Sequence, residues 1–212
     1  MRNGFVLAGI LAFFMAVNVP VYAMTAEVFK NDKVLVTEVT LAPGEKEPLA
    51  GHHASVVVYK AGEKADIRFE GGGVEHEAIV RGETVKEPAK AGVLINTGAA
   101  PLKLVRVEFL TAGGNEIWHK TGLPPNYEMI FEDQFSRVYN IRIAPHDWEP
   151  QHTHHDRVVV CLSGAQLEHV LPDGSIQPST LKTDEVSWRL GQTHKGHNIG
   201  DTPLWVVAIE PK

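Results

Sequence analysis

Cysteine is almost missing from this chain of 212 residues: Cys161 is the only one, so no intrachain disulfide can form. Stability has to come from an apolar core. Cys161 lies in the run Val158 to Leu162 and reads as a packing residue rather than a nucleophile. A basic excess is missing too. Lys and Arg number 20 against 26 Asp and Glu, a formal charge of -6. That balance gives no electrostatic footprint for nucleic acid or for an anionic membrane. Long hydrophobic runs are absent as well. The longest, Phe5 to Val17, is short of the ~20 apolar residues a membrane span needs. Finally, no stretch holds a helical period.

The apolar run near the start has a different meaning. Arg2 precedes it, and Asn18, Pro20 and Val21-Tyr22-Ala23 follow. A basic start, a short apolar centre and a small residue at the end describe a secretory signal peptide, residues 1–23, cut after Ala23. The competing reading is an uncleaved anchor. The expected location is periplasmic or secreted, with no membrane contact after cleavage.

What remains is rich in short strand-like runs: Val34 to Leu41, Val56 to Lys60, Leu102 to Leu110, Arg137 to Ile143, Val158 to Leu162 and Leu204 to Ile209. Turn signals separate them, among them Pro43-Gly44, Gly71-Gly72-Gly73, Pro172-Asp173-Gly174 and Gly200-Asp201. This is the pattern of an all-β sandwich or barrel.

An internal repeat runs through these strands. At an offset of 102 residues and without a gap, Ala42-Pro43 falls on Ala144-Pro145 and Glu47-Pro48 on Glu149-Pro150. His52-His53 falls on His154-His155, Val56-Val57-Val58 on Val158-Val159-Val160, Asn96 on Asn198 and Pro101-Leu102 on Pro203-Leu204. Two related β domains are expected, 24–112 and 128–212, joined by a linker over 113–127.

The two copies differ in their histidines. His152 stands where the first copy has Ala50, and His194 where it has Gly92; only His154 has a counterpart, His52. In an extended chain, residues i and i+2 face the same way, so His152 and His154 share a face. Neutral imidazole is a common ligand for Fe, Mn, Ni and Zn. Three protein ligands with open positions is the arrangement of a catalytic metal site. The bland reading is a polar cluster or surface histidines on a loop.

These residues resemble the two motifs of the cupin family. His152-x-His154 with Gly164 matches the first motif, and Gly191-x-x-His194-x-x-x-Asn198 the second; Pro145 sits on the lead-in turn. The opening glycine of the first motif is His146 here, and the proline of the second is Arg189. The resemblance implies a bicupin: two antiparallel jelly-roll barrels in tandem, the first a degenerate copy without the full metal motif. It implies a divalent transition metal held by the three histidines. The family's acidic slot, counted back from Gly164, falls on Arg157, with Asp156 beside it. Asp156 alternates with His152 and His154, so either it is a fourth ligand or the site has no acid. Arg157 is a candidate to bind a substrate carboxylate through its planar fork, against the plainer reading of a salt bridge or solvated strand end. His155 and His197 should point away, one of Glu168 and His169 inward, and Trp148 and Trp188 should form core or pocket wall. The family's chemistries are dioxygenase, isomerase and lyase reactions on small organic acids or sugar-like molecules. The contrasting function is a non-catalytic module that binds or senses a small molecule or metal. Open sheet edges make a homodimer a reasonable partner state.

Overall fold

The structure, a computed structural model, describes residues 23–51, 53–118, 123–125 and 127–212. The leader reading therefore concerns residues outside this description except Ala23, and His52 lies outside it too. The described residues contain no helix and eighteen strands. The first nine are β1 Met24–Lys30, β2 Val34–Leu41, β3 Lys46–Leu49, β4 Ser55–Ala61, β5 Lys64–Phe69, β6 Val74–Ala78, β7 Thr84–Glu87, β8 Gly92–Asn96 and β9 Leu102–Phe109. The second nine are β10 Glu128–Glu132, β11 Ser136–Ile143, β12 His152–His154, β13 Arg157–Ser163, β14 Gln166–Val170, β15 Ile176–Thr180, β16 Val186–Arg189, β17 Gln192–Asn198 and β18 Leu204–Pro211.

Strands assemble twice in one order. A five-stranded sheet β1-β2-β9-β4-β7 faces a four-stranded sheet β3-β8-β5-β6; later, β10-β11-β18-β13-β16 faces β12-β17-β14-β15. Among the described residues all pairings are antiparallel, and each sheet keeps two unpaired edges, so none closes on itself. The register repeats with the sequence: Val34 pairs Phe109 and Ser136 pairs Pro211, while Leu41 pairs Leu102 and Ile143 pairs Leu204. Even irregularities recur, with register shifts at Glu27/Phe29 and Met129/Phe131, and at Tyr59/Ala61 and Cys161/Ser163.

Alternation decides where each valine goes. On β13, Val158, Val160 and Leu162 join Val56, Val58 and Val105 of the other half in one buried cluster, so the two five-stranded sheets pack on each other. Val159 and Cys161 point the other way, into the interior of their own half. Both faces of these strands are covered, which is why their sequences run apolar without alternating. Cys161 is fully buried, and burial pushes its thiol up to about 11, as expected of a packing residue. Gly82, at φ +84°, lets the halves approach: a Cβ there would stand 2.1 Å from the Trp205 ring. Arg81 staples the same seam, donating to the Leu162 carbonyl at 2.6 Å and to Asp184 at 2.8 Å.

The shared asparagines are scaffold. Asn96 Nδ2 donates to the carbonyls of Leu41 and Ala100, and Asn198 Nδ2 to those of Ile143 and Thr202. Each accepts from the glycine two residues on. These bonds fix the turn after β8 or β17 and so the exit of the strand that carries His194.

Candidate metal centre

Strand β12 pairs with β17, and His152 stands opposite His194. Alternation turns Thr153 outward and His152 and His154 inward. All three imidazoles are buried, and one ring nitrogen from each lies within 4.8 Å of the others. His152 Nε2 and His154 Nε2 are 2.9 Å apart. Two donors each ~2.1 Å from one ion and at about a right angle to each other would be ~3.0 Å apart.

The tautomers follow from the outer bonds. His152 Nδ1 donates to the Pro150 carbonyl at 2.8 Å, which leaves the Nε2 lone pair for the centre. Tyr139 donates its hydroxyl proton to Glu210 Oε1 at 2.7 Å, so its oxygen accepts from His154 Nδ1 at 2.9 Å. His154 Nε2 is thereby freed as well. Tyr127 OH stands 3.2 Å from His152 Nε2. His194 Nδ1 is buried and has no hydrogen-bond partner among the described residues. Ligating histidines are commonly fixed by such outer partners.

Burial holds all three imidazoles below the ordinary histidine value, and the positive charge of Arg157 adds to the effect. They are neutral near pH 7, the form that binds metal. Burial likewise raises the phenols of Tyr127 and Tyr139, so both remain hydrogen-bonding hydroxyls.

The centre forms one wall of a cavity of about 510 Å³, a common size for a small-molecule site. Arg157, β13's first residue, reaches this cavity because it shares the inward face of Val159. It is only 8% exposed, and no described carboxylate lies within ion-pair distance of it. Its Nη1 makes only long contacts to the carbonyls of His155 and Leu190, and its Nε has no partner among the described residues. Glu149, 4% exposed, also lines the cavity, with Oε2 3.8 Å from His152 Nε2. Burial pushes its carboxyl up to about 7, although Tyr127 and Arg157 pull the other way.

Of the expected site residues, the fold gathers His152, His154 and His194, with Arg157 on the same cavity. Asp156 falls outside the group. The strand breaks at His155, so the alternation that put Asp156 beside the histidines stops one residue too soon. Asp156 Oδ1 instead accepts the Gly191 amide at 2.7 Å and fastens the turn before β17. His155 and His197 do point away, stacked on Trp118 and Trp148. Of Glu168 and His169, it is His169 that lines the cavity; its ring stacks on His194, and burial takes it down to about 4. Trp188 is cavity wall, but Trp148 is 52% exposed and is neither core nor wall. Tyr127, assigned to the linker, is buried in the site.

Sequence reading missed Tyr127, Tyr139, Glu149 and Glu210. The repeat held a usable signal for the tyrosines, which replace Thr25 and Thr37 of the first copy.

No family model and no curated protein matches the chain. Solved structures do resemble it. AerE from Microcystis aeruginosa superposes with a TM-score of 0.64 at 12% identity, over 90% of this chain and 97% of that one. A cupin 2 conserved barrel domain protein from Leptotrichia buccalis gives 0.59 at 14%, over 90% and 89%. An oxalate decarboxylase from Bacillus subtilis, a protein with Mn(II) centres, gives 0.57 at 13%, over 89% and 72%. The fold is therefore that of cupin proteins. The donor set fits a divalent transition metal: three buried neutral imidazoles converge, and one of them has an orphaned nitrogen.

Proposed function

We propose that this chain is a periplasmic or secreted bicupin whose second half, 128–212, is a metal-dependent enzyme for a small organic acid. One observation carries the reading: three imidazoles converge, and two of them, His154 and His194, line a cavity with a buried guanidinium that has no carboxylate partner among the described residues. A divalent ion of Fe, Mn, Ni or Zn bound at His152, His154 and His194 supplies a Lewis acid with open coordination positions.

The protein's own groups set the rest. An unpaired buried guanidinium is costly unless an anion joins it. Arg157 offers a planar fork that suits a carboxylate, and so orients an acid with its other end toward the histidines. Apolar walls from Ile141, Val159, Leu167 and Val206 exclude water around it. Dioxygenase, isomerase and lyase chemistries all suit this arrangement, since fold does not choose among them. The first half packs against the second and carries no such histidine group among its described residues.

Metal analysis of the purified protein beside His152→Ala and His194→Ala tests the centre. The expected result is one equivalent of metal in the parent and loss in both variants; a metal-free parent overturns the reading. A panel of small carboxylates, with oxygen uptake followed, then tests the chemistry. Arg157→Gln should keep the metal and weaken acid binding by about 10–100-fold, the value of a charged hydrogen bond. Metal and acid bound with no turnover on any of the panel would instead assign a binding or sensing module.

A further inference from the structure

We infer that Glu149, not Asp156, supplies the carboxylate of the metal centre, and that it enters the site through a β-bulge. The inference rests on the three-histidine reading above and adds a ligand to it.

The first observation is the bulge. In the first half, Glu47 pairs Leu94 and Leu49 pairs Gly92, two residues against two. In the second half, the Glu149 amide bonds the Gly196 carbonyl at 2.8 Å while His152 pairs His194. Three steps along one strand are matched by two along the other, with the extra residue at Pro150-Gln151. An odd separation would put Glu149 and His152 on opposite faces of a regular strand; the bulge returns both to the interior.

The second observation is what the same carboxylate does in the other copy. Glu47, the counterpart of Glu149, holds a cation: its Oε1 accepts Arg106 Nη1 at 2.9 Å. Arg106 is itself gripped by Glu87 at 2.6 Å. The counterpart of Arg106 is Ala208, and that of Glu87 is Arg189. The second half has thus lost the built-in cation and kept the acid. Among the described residues, no Lys or Arg lies within ion-pair distance of Glu149, and its Oε1 is buried without a hydrogen-bond partner. The carboxylate instead accepts a hydrogen bond from Tyr127 and faces His152, with Oε2 3.8 Å from Nε2, at the edge of the three-histidine group rather than within it.

The third observation is the space made for it. A Cβ on Gly196 would stand 2.3 Å from Glu149 Oε2. The first-half counterpart is Leu94. Glycine at 196 has no positive φ to explain it; what it provides is room for the carboxylate. Charge points the same way. A dication on three neutral ligands beside the unpaired Arg157 would leave several buried positive charges close together, and an ionised carboxylate offsets them.

The test is titration of the metal-free protein with Co(II) alone, followed by calorimetry and by the visible absorption of the ion. Glu149→Gln should bind at least ~10–100-fold more weakly, with a changed absorption spectrum. Gly196→Ala should shift affinity in the same direction, and Asp156→Asn should stay within about twofold. If Glu149→Gln does not fold, the metal-minus-apo infrared difference of Asp156→Asn decides; a shifted carboxylate band is expected there. An unchanged Glu149→Gln, or a carboxylate band that vanishes in Asp156→Asn, overturns the assignment while leaving the histidines intact. A parent protein that takes up no Co(II) overturns both.

Discussion

Tyr139 does for His154 what the Pro150 carbonyl does for His152: it holds the Nδ1 proton and turns Nε2 toward the centre. The tyrosine is in turn held by Glu210, which Arg137 neutralises in a fully buried ion pair. Removing the hydroxyl leaves His154 free to change tautomer. Tyr139→Phe should therefore lower metal affinity by about 10–100-fold without removing a ligand, as calorimetric titration would read. An unchanged affinity would mean that packing alone fixes the ring. At this scale the sequence was partly legible. His152 and His154 share a strand, so their spacing shows their common face. Tyr139 and Glu210 reach the same ring from strands distant in sequence, and only the pairing of β11 with β18 brings them together.

Parity along a strand is a sound guide while the strand stays regular, and it fails at two places near β12. Asp156 is an even number of residues from His154 yet misses the site, because the strand ends at His154. Glu149 is an odd number from His152 yet faces inward, because the bulge absorbs one residue. Neither interruption has a composition signal of its own. The geometry makes opposite predictions for two deletions. Deleting Gln151 removes the extra residue and leaves Glu149, His152 and His154 in simple alternation, so metal binding should survive within about tenfold. Deleting Thr153 puts the two histidines on opposite faces and should weaken binding more than about 100-fold. Both proteins would be compared by metal content and far-ultraviolet circular dichroism. Equal losses would show that the loop, not the alternation, is what matters.

The 102-residue repeat made the whole architecture readable, since strand starts, register and turns all follow it. What it did not show is that the sheets stay open, or that the valine triplets of the two copies pack against each other. The concentration of buried histidines has a consequence for the entire molecule. His152, His154, His169 and His194 are all held below the ordinary imidazole value of 6.5, chiefly by burial. The unfolded chain takes up protons near pH 6.5 that the folded chain refuses, so the metal-free protein loses stability as pH falls below that value. For His169 the loss continues to about pH 4, where it protonates in place. Glu149 acts in the opposite sense between 4.5 and about 7, because the fold keeps a proton that the unfolded chain releases. One group opposes four, so the melting temperature should drop from pH 7 to pH 5. A rise over that interval would contradict the burial of these rings.

The seam between the five-stranded sheets carries one more implication. Each half presents to the other an apolar wall rich in valine. Residues 128–212 produced on their own should therefore precipitate or seek a twin, docking back to back with a second copy of themselves. The intact chain has that twin already fused in place: one half carries the convergent histidines and the other serves as its permanent cover.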